Sequence, residues 1–260
     1  VCPVRRSPRV PTPVWPRCPG QRPAAWGGAR RSLRRCQPAA GVRPGATLRR
    51  FALAAGQTLP DRTHGTALFA DISGFTPLTA ALAQELGPHR GAEELTRHLN
   101  RVFTALITEV HAYRGSVISF SGDAITCWFD EADGNGRTAQ QALACALAMQ
   151  QVMQAQSAIT TPNGSVTHLG LKVALSVGPC RRFLVGAPEA QHIEVLAGAT
   201  LDRMAAAEKL AAQSEVVATA DLLDQLETTP TIAAWRSDKA GQRYAHITHL
   251  PPSLPPAPWT

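Results

Sequence analysis

A short apolar run that ends in an acidic residue places the strongest constraint on how this 260-residue chain folds. Residues 65–76 read GTALFADISGFT, so the apolar run stops at Asp71 and turn-forming residues follow it. A run of this length between turn signals predicts a buried central strand over residues 65–72. Thr76 is a favourable N-cap and Pro77 suits a first helical position, so a helix is predicted to begin there.

The junction between this strand and this helix is suited to binding a cation and an anion side by side. A carboxylate at the end of a buried strand can hold a metal ion, and the first N–H groups of a helix can bind a phosphate. The alternative is that Asp71 only caps a turn. Asp71 alone does not decide between these two interpretations.

A second acid, Asp123, favours the metal site. It stands with Gly122 between two β-rich runs, residues 116–121 and 124–129, which predicts a hairpin with Asp123 at its tip. If this hairpin lies beside the first strand, Asp71 and Asp123 converge. Two converging carboxylates favour Mg²⁺ or Mn²⁺, which prefer oxygen ligands and complete their shells with nucleotide phosphates.

The remaining patterns predict an α+β fold with a ferredoxin-like mixed sheet and helices on one face. Periodicity predicts helices over residues 48–60, 76–86, 91–113, 137–155, 199–212 and 220–226. Further strands are predicted over residues 169–177, 183–185, 192–196, 215–218 and 243–249, the last of them at an edge.

The positive charge of the chain is concentrated at its N-terminus. Twelve of the 26 basic residues and nine prolines fall within residues 1–50, which contain no acidic residue. This composition predicts a disordered Arg/Pro-rich segment over residues 1–60, a folded domain over 61–228 and an extension or linker over 229–260. A nucleic-acid role would rest on the N-terminal segment alone, and nucleic acid is not expected as a partner.

Other features of the sequence bear on the location of the protein and on the cofactors it can bind. No apolar run of 18 or more residues is present, and no secretory h-region follows the arginines, so a cytoplasmic protein without a transmembrane segment is predicted. The six cysteines show no C-x-x-C pair and no zinc spacing. Reduced thiols and no zinc are therefore expected.

Two motifs carry a resemblance to a known family. FADISGFT at residues 69–76, together with FSGDA at residues 120–124, resembles the class III adenylyl and guanylyl cyclase catalytic domain. The resemblance is greatest to the first catalytic domain of the soluble, bicarbonate-responsive adenylyl cyclases and their bacterial relatives. The resemblance covers about residues 64–225. It implies a dimer with the active site at the domain interface, in intracellular signalling. The implied reaction converts ATP, or less often GTP, to the 3′,5′-cyclic nucleotide and pyrophosphate with two Mg²⁺ or Mn²⁺ ions.

The resemblance also implies roles for individual residues. Asp71 and Asp123 are the implied catalytic metal ligands, and Ile72 would offer its backbone carbonyl to a metal. The phosphates would be held by the four residues that follow, which are Ser73, Gly74, Phe75 and Thr76.

Four positions depart from the family pattern. Ser119 stands where a base-reading Lys is implied, and Val195 where a purine-reading Asp or Thr is implied. Asp202 and Ala206 stand in place of the transition-state Asn and Arg. Loss of one preorganised donor costs about 10²–10³ in rate. The sequence therefore predicts the metal-bearing half of a site, with ATP and a second cyclase domain, downstream or on another protein, as partners. The alternative is a degenerate regulatory or dimerisation module that binds nucleotide without turnover.

Overall fold

The computed structural model describes residues 60–133, 136–186, 192–251, 254–256 and 258. Apart from Pro60, the predicted N-terminal segment and the helix predicted over residues 48–60 lie outside this part. The described part has an α+β fold built on a mixed sheet, as predicted. None of its helices is long and apolar enough to cross a membrane.

The described part contains ten strands and five α-helices. The strands are β1 (Arg62–Ser73), β2 (Ser116–Ser121), β3 (Ala124–Asp130), β4 (Ala158–Thr160), β5 (Val166–His168), β6 (Gly170–Gly186), β7 (His192–Ala197), β8 (Val216–Thr219), β9 (Thr231–Ser237) and β10 (Arg243–His249). The helices are α1 (Phe75–Leu86), α2 (Pro88–Ala112), α3 (Thr138–Gln156), α4 (Ala199–Leu210) and α5 (Ala220–Leu223).

Eight of these strands form the main sheet, in the order β2-β3-β1-β6-β8-β10-β9, with β7 paired to the outer part of β6. Only the β6–β8 pair is parallel among the pairings of the described residues. Strands β4 and β5 form a separate small hairpin. Strand β1 lies between β3 and β6, so the predicted central strand is confirmed.

Strand β1 is buried on both faces, because helices cover the two sides of the sheet. Leu68, Ala70 and Ile72 point into the larger core, which packs under α1, α2 and α3. Ala67 and Phe69 point the other way, into a smaller core that contains residues of α4. The prediction that the helices lie on one face is therefore wrong for α4.

Helix α2 follows its predicted apolar pattern and begins three residues earlier than expected. The predicted apolar residues all lie in the larger core or pack against it, and they are Leu95, Leu99, Val102, Phe103, Leu106 and Val110. Gly115 follows this helix, and a Cβ there would lie 2.7 Å from the side chains of Val110 and Phe129. A glycine is therefore needed where the chain passes from α2 into β2.

Two predicted boundaries differ from the structure. The two strands predicted over residues 169–177 and 183–185 form one strand, β6, which begins at Gly170 and continues through Gly178 and Pro179. The domain boundary predicted at residue 228 falls inside the sheet, because β9 and β10 pair with each other and β10 pairs with β8. Strand β10 is thus an internal strand, and β9, which the sequence pattern did not predict, occupies the edge.

A buried arginine connects three strands of the sheet. Arg182 of β6 is 1% exposed and forms ion pairs with Asp130 at the end of β3 and with Glu194 of β7. Its Nη1 lies 2.6 Å from Asp130 Oδ2, which also accepts a hydrogen bond from Trp128 Nε1. Thr63 donates to the other oxygen of Asp130 at 2.8 Å. This network attaches the β6–β7 hairpin to the centre of the sheet.

Candidate active site

Asp71 lies two residues before the end of β1, on the face of the sheet that α4 covers. Its register partners are Ala124 on β3 and Lys172 on β6. The side chain of Asp71 is 24% exposed, so its carboxylate is close to the surface. Rather than capping a turn, this carboxylate is engaged across the sheet with Lys172.

Asp123 is exposed at the tip of the β2–β3 hairpin, as predicted. Gly122 before it has a φ of 65°, a left-handed conformation that the tight turn requires. The N–H of Ile72 donates to the carbonyl oxygen of Asp123 at 3.1 Å. This backbone bond, with the pairing of Asp71 to Ala124, brings the two acidic residues to the same end of neighbouring strands.

Helix α1 begins at Phe75, and its N-cap is Gly74 rather than the predicted Thr76. Gly74 has a φ of 98°, and a Cβ there would lie 2.4 Å from the carbonyl oxygen of His168. No side chain caps the helix, so no side-chain acceptor competes for its first N–H groups. The Ser73 hydroxyl is buried and has no hydrogen-bond partner among the described residues. The start of α1 therefore offers donors to an anion.

Lys172 is the cation nearest to Asp71 among the ion pairs of the described residues, and the sequence did not indicate its role. Its Nζ lies 3.1 Å from Asp71 Oδ2 and 2.6 Å from Glu208 Oε1 of α4. The hydrogen bond to Glu208 raises the pKa of Lys172, partial burial acts in the opposite direction, and the bond to Asp71 adds to the rise. Lys172 is therefore an ammonium that neutralises Asp71.

The four positions that depart from the family pattern lie on three different elements. Ser119 is exposed on β2, and Val195 is 39% exposed on β7. Asp202 is exposed in the first turn of α4, and Ala206 lies one turn further on. None of these four side chains is a base-reading lysine or a transition-state arginine.

Arg203, beside Asp202, does not compensate for the missing arginine. Its Nη2 donates to the carbonyl oxygen of Val177 at 2.7 Å and lies 3.6 Å from Asp221. A Cβ at Gly178 would come within 2.7 Å of the same Nη2, so the guanidinium is packed tightly against β6. Arg203 is thus engaged in holding α4 on the sheet.

The donors at this end of the sheet fit a hard divalent cation. Asp71 and Asp123 supply carboxylate oxygens, the ligand type that Mg²⁺ and Mn²⁺ prefer. Asp71 already attracts one cation, the ammonium of Lys172, within the fold itself. Among the described residues, no group of three or more His, Cys, Asp or Glu side chains is arranged to hold a metal ion. A cation here would therefore take its remaining ligands from elsewhere, such as nucleotide phosphates.

A cavity of about 430 Å³ lies apart from these carboxylates, between α3 and β10. Its lining includes Tyr113, Gln150, His246 and Leu250, and neither Asp71 nor Asp123. Asp71 is 24% exposed and Asp123 is exposed, so the acidic pair lies at the surface of the sheet end and not in this cavity.

Residues 61–239 match the family model of the adenylate and guanylate cyclase catalytic domain. This match covers more than half of the chain, and the chain belongs to that family. The match also runs past residue 228 into β9, in agreement with the pairing of β9 in the main sheet.

Individual relatives and solved structures agree with this assignment. The chain is 25% identical over 154 residues to adenylate cyclase type 10 of Mus musculus, a match that covers 59% of this chain and 9% of the relative. The chain thus spans about a tenth of the length of that protein. The adenylyl cyclase CyaB from P. aeruginosa matches with a TM-score of 0.60 and 20% identity, over 74% of this chain and 97% of that one. The guanylyl cyclase Cya2 matches with a TM-score of 0.62 and 19% identity, over 76% and 98%. The two structures support the fold.

Proposed function

We propose that this chain is the metal-bearing half of a two-domain adenylyl cyclase site, which converts ATP to 3′,5′-cyclic AMP and pyrophosphate. The observation that carries the proposal is the position of Asp71 and Asp123 at one end of β1 and β3, beside the uncapped start of α1. A second cyclase domain, in the same polypeptide or in another protein, would supply the base-reading and transition-state groups.

Two divalent cations, when bound, would supply Lewis-acid activation of the ribose 3′-hydroxyl and neutralise the triphosphate. Asp71 and Asp123 would hold these cations through their carboxylates, and the backbone carbonyl of Ile72 would offer a further oxygen. The backbone N–H groups of Phe75 and Thr76 lie in the first turn of α1 and point towards its N-terminal end, where they bind phosphate oxygens. Pro77 has no N–H, so this turn relies on the residues before it.

The choice of ATP over GTP rests on the likeness to relatives named as adenylate cyclases, including the type 10 enzyme of Mus musculus. The chain's own side chains do not select the base, because Ser119 and Val195 lack the implied reading groups. In this proposal the complementary domain reads the adenine.

The test compares the chain alone with a mixture of the chain and a cyclase domain that carries the missing Lys, Asn and Arg. With Mn²⁺ and ATP, we expect cyclic AMP from the mixture only. Asp71→Asn should lower that rate by about 10²-fold or more, because it removes charge that stabilises the transition state. Asp224→Asn, an exposed acid at the end of α5, is the matched control and should leave the rate unchanged. Rapid cyclic AMP formation by the chain alone would contradict the half-site, and no product from any mixture would contradict an enzyme role.

A second candidate function is nucleotide binding without turnover, to regulate a partner. The observation that favours it is the ion pair between Lys172 and Asp71, which neutralises the carboxylate without a metal. Binding of a fluorescent ATP analogue separates the two functions. If the chain is an enzyme half-site, binding of the analogue requires Mn²⁺ and weakens in Asp71→Ala. Binding that needs no metal and survives this substitution would favour the regulatory module.

A further inference from the structure

The ammonium of Lys172 lies between two carboxylates that belong to different parts of the fold. Asp71 faces it from the neighbouring strand at 3.1 Å, and Glu208 faces it from α4 at 2.6 Å. All three side chains are 24% exposed, so they are partly shielded from water and can still move. Two negative groups and one positive group leave this cluster with a net charge of −1.

We propose that Lys172 is a built-in counter-ion of Asp71 that an incoming divalent cation displaces, and that Glu208 retains Lys172 after the exchange. Glu208 is then a positioning residue. It sets the metal affinity of the site through Lys172 and is not itself a metal ligand. This inference rests on the proposed function, because it takes Asp71 as a metal ligand.

Electrostatic repulsion keeps a metal ion on Asp71 and the Lys172 ammonium apart. A divalent cation on Asp71 would lie within a few ångströms of the Lys172 ammonium, and like charges at that separation repel strongly. Lysine has a flexible four-carbon stem, so its Nζ can turn away from Asp71 without movement of the backbone. Metal binding therefore requires a second position for this ammonium.

The second position of the ammonium lies beside Glu208. The shorter of the two contacts is the one to Glu208, so Lys172 can release Asp71 and keep its closer partner. Asp71, Asp123 and Glu208 do not form a three-carboxylate metal cluster in the described part of the chain. The geometry therefore assigns Glu208 to the lysine rather than to the metal.

Mn²⁺ binding by the full chain, followed through the electron paramagnetic resonance signal of free Mn²⁺, tests this assignment. We expect Glu208→Gln to raise the Kd about tenfold, the lower end of the effect of removing a partner in the outer shell of a metal ligand. Lys172→Met should lower the Kd, because it removes the competing cation. Glu208→Asp, which keeps the charge and shortens the side chain, should lie between wild type and Glu208→Gln. Circular dichroism identifies variants that do not fold.

The decisive comparison is the double variant. If Glu208 acts through Lys172, adding Glu208→Gln to Lys172→Met changes the Kd much less than Glu208→Gln changes it alone. An equal effect in both backgrounds would mean that Glu208 acts directly on the metal, and no effect of Glu208→Gln alone would mean a structural role; either result overturns the inference. Glu227→Gln, which removes an exposed ion pair with Arg137, is the matched control and should leave the Kd unchanged.

Asp71→Asn separates a failure of this inference from a failure of the proposed function. If Asp71→Asn abolishes Mn²⁺ binding while Glu208→Gln has no effect, only the role of Glu208 is wrong. If Asp71→Asn binds Mn²⁺ as wild type does, the metal site itself is wrong and both proposals fail.

Discussion

Replacement of the buried Arg182 by methionine should destabilise the domain strongly. Asp130 and Glu194 would lose the cation they share while remaining almost fully buried. Removing one member of such a network costs about 3–5 kcal/mol. Asp130 keeps hydrogen bonds from Thr63 and Trp128, which places the expected loss near the lower end of that range, about 3 kcal/mol. For a domain of this size, such a loss lowers the melting temperature by about 6–12 °C.

The chain offers a matched control in the preceding residue. Arg181 pairs with Asp61, and both side chains are about half exposed, so Arg181→Met should cost less than about 1 kcal/mol. Urea unfolding at pH 7, followed by circular dichroism, measures both losses. Adding Glu194→Gln to Arg182→Met should restore part of the stability, because it removes one of the two buried negative charges that Arg182 pairs with. Equal losses for Arg181→Met and Arg182→Met, or no recovery in the double variant, would refute this account of the network.

Three further predictions concern other sites of the described fold. The hydrogen bond from Arg236 lowers the pKa of Glu215 from 4.5 to about 2. The stability that ionised Glu215 contributes is therefore complete above pH 4.5 and is lost as the pH falls towards 2. Glu215→Gln should therefore cost about 1–2 kcal/mol at pH 7 and flatten the acid limb of urea unfolding. Burial and a hydrogen bond to an acidic side chain raise the pKa of Tyr244 from 10 to about 12. Wild type should therefore lose stability between pH 10 and 12 in thermal unfolding, and Tyr244→Phe should not. Gly74→Ala places a Cβ 2.4 Å from the carbonyl oxygen of His168 at a φ of 98°, and it should cost more than about 1 kcal/mol in urea unfolding.

The elements that the sequence predicted correctly are those with a local signal. Helix α2 repeats its apolar residues with the helical period over about four turns, and β1 is a compact apolar run between turn residues. Strand β9, by contrast, has Ile232, Ala233 and Ala234 in succession, so its sequence does not alternate. It becomes a strand through its pairing with β10, a contact that is not visible in a local pattern.

The residues of the candidate site also fall into those with a local sequence signal and those without one. Asp71 and Asp123 could be selected from the sequence because each follows a recognisable strand or turn. Lys172 and Glu208 could not be paired from the sequence, because their contact joins residues 36 positions apart on a strand and a helix. The N-cap was predicted wrongly at Thr76. The close approach of the His168 carbonyl oxygen, which leaves no room for a Cβ at Gly74, comes from the distant β5 strand and is not visible in the local sequence.

Helix α4 carries both Glu208, which contacts Lys172, and two of the four positions that depart from the family pattern. At 3.6 residues per turn, Asp202 and Ala206 lie about 40° apart around the helix, whereas Glu208 lies about 120° from Asp202 on the other side. Glu208 contacts Lys172 of the same chain, and Asp202 is exposed to solvent. One side of the helix therefore holds the counter-ion of Asp71 in place through Glu208. Asp202 and Ala206 stand at the positions of the implied amide and guanidinium, which in the proposed half-site would come from a second domain.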